Sequence, residues 1–355
     1  MKFIKQNFFS SWGNALLTVI ILYVLWKAVP AFVGWAFLDA VWQADSKACR
    51  AAHGACWGFV AEKHRFILFG TYPYEQHWRP GLASAILICL WIFSSMKIFW
   101  KWWLALAWLG GLAVMGVLMW GGVFGLPYVE NERWGGLTLT LLLATFGIAF
   151  AFPLSILLAL GRRSDMPAVQ GLCVAYIELI RGVPLISLLF MASAMLPLFL
   201  PSGVSIDKLL RAQIALIMFA AAYLAEVVRG GLQAIPGHQS QSAMALGLPY
   251  WTRMRYVILP QALRVSVPPL VSTFIGLFKD TSLVVIIGLF DLLSTITVSL
   301  NEPAWNGFGV EAYLFAGLVY FVFCFAMSRY SRSLELNRGG SPHPSFSRGS
   351  QSAPG

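Results

Sequence analysis

Few residues in this 355-residue chain are of types and spacings that could carry chemistry. There is no G-x-x-x-x-G-K-[ST] run, so the chain lacks that backbone cradle for nucleotide phosphates. Neither H-E-x-x-H nor G-x-S-x-G is present. His53, His64 and His77 share a segment with Cys49 and Cys56, but the spacings match no zinc-ligand pattern. Three other features remain. The first is an echo, Glu178-x-x-Arg181-Gly182 and Glu226-x-x-Arg229-Gly230. Residues three apart share a helix face, so each is a ready ion pair, either self-satisfied at a boundary or exchanging partners as helices move. The second is Lys279-Asp280-Thr281, set well inside an apolar run, where a lone ammonium is expensive. Adjacent residues do not face the same way on a helix, so this is either an irregular, pathway-facing stretch or a structural pairing. The third is a polar, basic stretch at 232–265 with no acidic residue. Within it, Gln241 to Leu246 reads as a short helix stopped by Gly247 and Pro249, and a second short helix is expected to end before Pro260.

The elements that must position these groups follow from composition. Of the residues, 58% are hydrophobic and only 11% charged. A soluble domain carries about a quarter charged residues, so a soluble enzyme, a disordered chain and a disulfide-rich secreted module are excluded. The apolar runs are long and continuous, unlike the alternating segments of about ten residues of a membrane barrel. The expectation is an all-α polytopic membrane protein with eight spans, near 13–36, 82–98, 102–123, 136–160, 177–200, 211–231, 266–290 and 311–329. The first run is too long for a signal peptide and reads as a retained anchor.

The net charge of +10 reads as positive-inside bias, not as nucleic-acid binding. With the N-terminus inside, 15 of the 25 Lys and Arg fall in inner connections and eight in outer ones. Both termini are therefore expected in the cytosol. The chain divides into an N-terminal three-span extension over 1–133 with a large outer loop at 37–81, a working core over 134–330 with the inner loop 232–265, and a disordered tail over 336–355. That tail is rich in Ser, Gly and Pro. Cys49 and Cys56 are the only cysteines outside a span in this topology. A disulfide between them is expected, though two free thiols also fit the sequence.

The inner loop resembles the coupling loop of ABC importer permeases. The matching residues are Ser242, Ala243, Gly247, Val257, Leu259 and Pro260. The first position of that pattern is usually Glu and here is Gln241; the second is usually Ala and here is Ser242. Around it, the segments 222–231, 235–236, 259–264 and 279–283 look like the polar amino-acid uptake branch. The segments 54–57, 72–73 and 176–184 are similar to the general L-amino-acid permease subunit of Gram-negative bacteria. The resemblance implies a type I importer core in the bacterial inner membrane, moving L-amino acids inward by alternating access. It implies a cytosolic ABC ATPase dimer, a companion permease subunit and a periplasmic amino-acid-binding protein as partners, besides lipid. It implies no catalytic residue and no cofactor on this chain. Two other classes compete: an ion-coupled secondary transporter, which would favour inverted repeats absent here, and a non-transporting receptor or scaffold, which would not need the punctuated inner loop.

Overall fold

The structure is a computed structural model, and it describes residues 8, 10–199, 201 and 206–336. The expected disordered tail lies, except for its first residue, outside these. The described residues are helical throughout, with no strand beyond two isolated bridges. Among the described residues, seven helices are long and apolar enough to cross a membrane, and a bent pair brings the number to eight if it counts as one span. The chain forms two compact units, Met1–Ile67 with Ile296–Gly317, and Leu68–Thr295 with Leu318–Gly355.

In the first unit, α1 (Trp12–Val33) is capped by Ser11, whose hydroxyl accepts from the Asn14 N–H at 3.2 Å. It runs on through a π turn at Gly34–Leu38. None of its residues is buried, and its apolar side chains point outward all round, as a lipid-facing span requires. The outer loop then folds into α2 (Ser46–Ala51) and α3 (Gly58–Phe69). Cys49 and Cys56 are joined as a disulfide, with their Cα atoms 5.4 Å apart. Closing so short a loop contributes roughly 2–3 kcal/mol through the unfolded state. Mass mapping of the membrane-inserted protein without reductant should recover the two cysteines in one linked peptide. Alkylation of both thiols under those conditions would exclude the bond.

In the second unit, α4 (Trp78–Ser95) and α5 (Trp102–Trp120) form a hairpin. The carbonyls ending α5 are met by side chains. Arg79, fully buried, donates from Nε to Leu118 O at 2.6 Å and from Nη1 to Pro127 O at 3.0 Å. The Tyr72 hydroxyl donates to Met119 O at 3.1 Å, and burial, eased by the nearby Arg79 cation, pushes that phenol up to about 12.

Three helices make the main core: α6 (Gly136–Gly161), α9 (Lys208–Gln233) and α12 (Leu259–Asp280). On α9, a stripe of Ala212, Ala215, Ala222, Ala225 and Gly231 lets the neighbouring backbones come close. A Cβ at Gly231 would lie 1.9 Å from Ser266 Oγ and 2.7 Å from Ala262 O. The last helices are α13 (Leu292–Leu300) and α14 (Gly309–Leu336). Buried Asp291 accepts from Leu293 N–H, Ser294 N–H and the Tyr320 hydroxyl of α14.

Two expectations need correction. The fifth span, 177–200, is not one straight helix. It is α7 (Pro167–Gly182) and α8 (Leu185–Ala194), bent by 104° at the Val183–Pro184 junction. Val183 is extended, the conformation that a following proline imposes, and Pro184 has no N–H to carry the ladder across. The second short helix of the inner loop does not end before Pro260. α11 (Tyr250–Arg253) passes through a π turn at Met254–Ile258 into α12 without a break. Leu259 N–H bonds Met254 O, five residues back, and Pro260 falls in the first turn of α12, where a missing N–H is tolerated.

Candidate functional site

The inner loop is a rigid elbow. α10 (Gly237–Ala245) ends in a left-handed Gly247 at φ +74°. Leu248 N–H bonds Ala243 O at 3.2 Å and Gly247 N–H bonds Met244 O at 2.9 Å. This is a Schellman close, and Pro249 follows to prevent continuation. The motif residues divide by role. Ala243 is buried, and Val257 and Leu259 pack on the main core beside buried Ile258, which roots the elbow. Pro260 opens α12. Gln241, Ser242 and Gly247 face outward, among Met244, Leu246 and Trp251. Leu246 is 80% exposed on the turn between the helices, and Trp251 is 69% exposed in the first turn of the helix that follows. Large apolar side chains turned outward from a polar elbow are what a protein contact would cover.

The two Glu-x-x-Arg segments meet in space, by one long contact of their own and chiefly through a residue the echo did not contain. Arg162, just past the end of α6, reaches Glu178 Oε1 with Nη2 at 2.9 Å and Glu226 Oε2 with Nη1 at 3.2 Å. Arg229 Nε donates to Glu226 Oε1 at 2.9 Å, and Arg181 Nη1 lies 3.9 Å from Glu226 Oε2. So Glu226 and Arg229 pair along one helix, whereas Glu178 turns to Arg162 and Arg181 turns to Glu226. Arg181 also stands over the Tyr223 ring at 5.7 Å. The cluster ties the end of α6 to α7 and α9. Read in sequence, Arg162 and Arg163 were only topology markers. The one signal for a further role was their position directly after a span.

Lys279, Asp280 and Thr281 diverge. Lys279 is exposed, and Thr281 is fully buried with its hydroxyl donating to Phe278 O at 2.8 Å. Asp280 lines a cleft of about 380 Å³ between α9 and α12, with Phe219, Tyr223, Ser272, Thr273 and Gly276. The α-helix gives way there to a tighter 3₁₀ run at Thr281–Ile287, which ends on the left-handed Gly288. α11, the π turn, α12 and this run form one rod, Tyr250–Ile287, 38 residues long. The cleft and the part of the elbow from Tyr250 onward therefore lie on a single continuous element, which α10 joins through the turn at 246–249.

Among the described residues, no group of three or more His, Cys, Asp or Glu could hold a metal ion. His64 Nδ1 meets Ala61 O and His77 Nε2 meets Tyr72 O, both at 2.8 Å.

Residues 151–336 match the family described as the binding-protein-dependent transport system inner membrane component. The chain is 50% identical to the inner membrane amino-acid ABC transporter permease protein YhdY of Escherichia coli K12, over 97% of this chain and 95% of that one. It is 40% identical to the glutamate/glutamine/aspartate/asparagine transport system permease protein BztC of Rhodobacter capsulatus, over 94% and 93%. Among solved structures, an amino acid ABC transporter crystallised with histidines superposes at a TM-score of 0.51 and 30% identity, over 57% of this chain and 92% of that one. A family match over half of the chain and relatives matched along nearly all of it lead to one conclusion: the protein belongs to the binding-protein-dependent transport family, as a membrane-spanning permease subunit of an ABC importer whose ATPase activity resides in a separate subunit.

Proposed function

We propose that this subunit carries L-amino acids from periplasm to cytosol, with both termini in the cytosol and the working core at 134–330. A companion permease completes the pathway, an ATPase dimer presses on the elbow, and a periplasmic binding protein delivers the substrate. The relatives' names, YhdY as an amino-acid permease and BztC for four amino acids, support the substrate class. The observation that carries the mechanism is the 38-residue rod. Force applied at Gln241, Ser242 and Gly247 passes the short turn at 246–249, enters the rod at Tyr250 and from there reaches Asp280 along unbroken helix. The Asp280 carboxylate and the hydroxyls of Ser272 and Thr273 offer an acceptor-rich wall for an ammonium group. The open side of that wall, and exposed Lys279, cannot face hydrocarbon cheaply, which favours a companion subunit or a wet pathway there.

Uptake of labelled L-amino acids into vesicles, with each partner supplied or omitted, tests this reading. Omitting the ATPase or the binding protein should each abolish uptake, and collapsing the ion gradients with ATP present should not. Uptake that follows the ion gradient without the ATPase would instead make the chain a secondary transporter.

A further inference from the structure

The family match begins at residue 151, so it gives no role to the long outer loop of the extension. That loop does not stand alone. Within the first unit it grips the connection between α13 and α14, at 301–308, and the first turn of α14, across 239 to 255 residues of sequence. Lys63 Nζ bonds Glu302 Oε2 at 2.6 Å and Glu62 Oε1 at 3.2 Å. The same Glu62 oxygen accepts from Trp305 Nε1 at 3.0 Å. The Trp305 ring, 2% exposed, packs edge-on against Phe59 at 5.8 Å. Arg50 Nη2 donates to Pro303 O at 2.9 Å and to Ala304 O at 3.3 Å. The Cys56 N–H donates to Glu311 Oε1, in the first turn of α14, at 2.9 Å.

Most neighbours of Trp305 in the connection are exposed, and a surface connection held only by its ends would be mobile. Here it is held at four points by a loop that a disulfide closes. Partial burial by itself lowers the Lys63 ammonium, but its hydrogen bonds to Glu302 and Glu62 outweigh that and hold it above the usual lysine value. The ammonium therefore stays charged, and the grip persists, throughout the neutral range.

We infer that the outer loop is a built-in brace: through Lys63, Glu62, Arg50 and Cys56 it fixes the α13–α14 connection in one position while the transporter cycles. α13 and α14 enter that connection from either end, so their outer ends keep a constant separation as α12 moves. The extension is then a working part of the permease and not an added anchor. The transport readout rests on the proposed function; a second readout does not.

The experiment uses the full transporter in vesicles, with ATPase, companion permease and binding protein. Lys63→Glu and Glu302→Lys should each lower amino-acid uptake at least about fivefold at unchanged membrane level, and the double exchange should recover more than half. Single reversals with normal uptake overturn the brace. So does a double exchange as impaired as the singles. If a reversal does not reach the membrane, Lys63→Met decides by the same comparison, since it keeps the stem and removes only the charge. The second readout needs no transport. Ala312, at 0% exposure, is changed to Cys and labelled with a membrane-impermeant maleimide. Adding Lys63→Met should speed labelling at least about fivefold. Equal rates overturn the brace even where uptake is unchanged, and absent wild-type uptake with faster labelling faults the functional reading alone.

Discussion

Gly247→Leu leaves the permease in the membrane at normal levels and lowers ATP-driven uptake by about a hundredfold or more. The two halves of this expectation have separate causes. Gly247 has φ +74°, and a side chain in the left-handed region costs about 1–2 kcal/mol. A Cβ there meets nothing within 4 Å, so no clash is added to that strain. A cost of that size does not unfold a core built on α6, α9 and α12. The leucine would instead project from the outward face of the elbow, beside exposed Leu246 and Trp251, where the proposed ATPase contact would have to sit flush. Copurification of the ATPase with the permease is the direct measurement, and it should be lost together with uptake. Gly247→Ala separates the two causes, because it has the same backbone strain and little bulk. It should keep most of the uptake. An alanine variant as poor as the leucine one would trace the defect to the Schellman turn, and a leucine variant with normal uptake would remove this face of the elbow from docking.

The elbow was legible in sequence because its punctuation is local. A glycine in the left-handed position followed two residues later by proline ends a helix whatever surrounds it. The spans were legible for a similar reason, since hydrocarbon leaves the backbone no choice but the helix. The bend at Val183–Pro184 was concealed by the same signal: the apolar run continues through 177–200, and hydropathy does not register direction. Pro184 did mark the point, but proline inside a span is common, as Pro153 within the unbroken α6 illustrates. Pro260, in the first turn of α12, misled in the opposite sense, because a π turn leads straight into what reads as a stop. The charge cluster was half legible. The echo drew attention to four residues, but Glu178 and Arg181 share a helix face and still choose other partners, because Arg162 comes between the helices from α6. That contact is tertiary, and spacing along one helix carries no trace of it.

Arg162 also determines which substitution in the cluster does most damage. Glu226 accepts from Arg229 and Arg162 and lies near Arg181, so Glu226→Gln leaves three guanidinium groups around a neutral amide. Glu178→Gln removes only the more exposed partner of Arg162, at 54% side-chain exposure against 25% for Glu226. These side chains are partly buried, which places a broken pair between the surface and interior limits, at about 1–2 kcal/mol. Glu226→Gln therefore lowers uptake roughly five- to thirtyfold, and Glu178→Gln by about threefold or less. A double-mutant cycle between Arg162 and Glu226 should show strong coupling. A cycle between Glu178 and Arg229 should show weaker coupling, since no hydrogen bond or ion pair joins them and they feel each other only through a longer-range charge interaction. Uptake read alone would confuse a gate with a clamp, so ATP hydrolysis stimulated by the binding protein is measured beside it. If the pairs rearrange as α9 moves against α6 and α7, Glu226→Gln continues to hydrolyse ATP while uptake falls, because the elbow still receives the stroke and the helix ends no longer follow it. If the cluster only holds three helix ends together, hydrolysis and uptake fall in proportion to the permease remaining in the membrane, and the gate reading is lost.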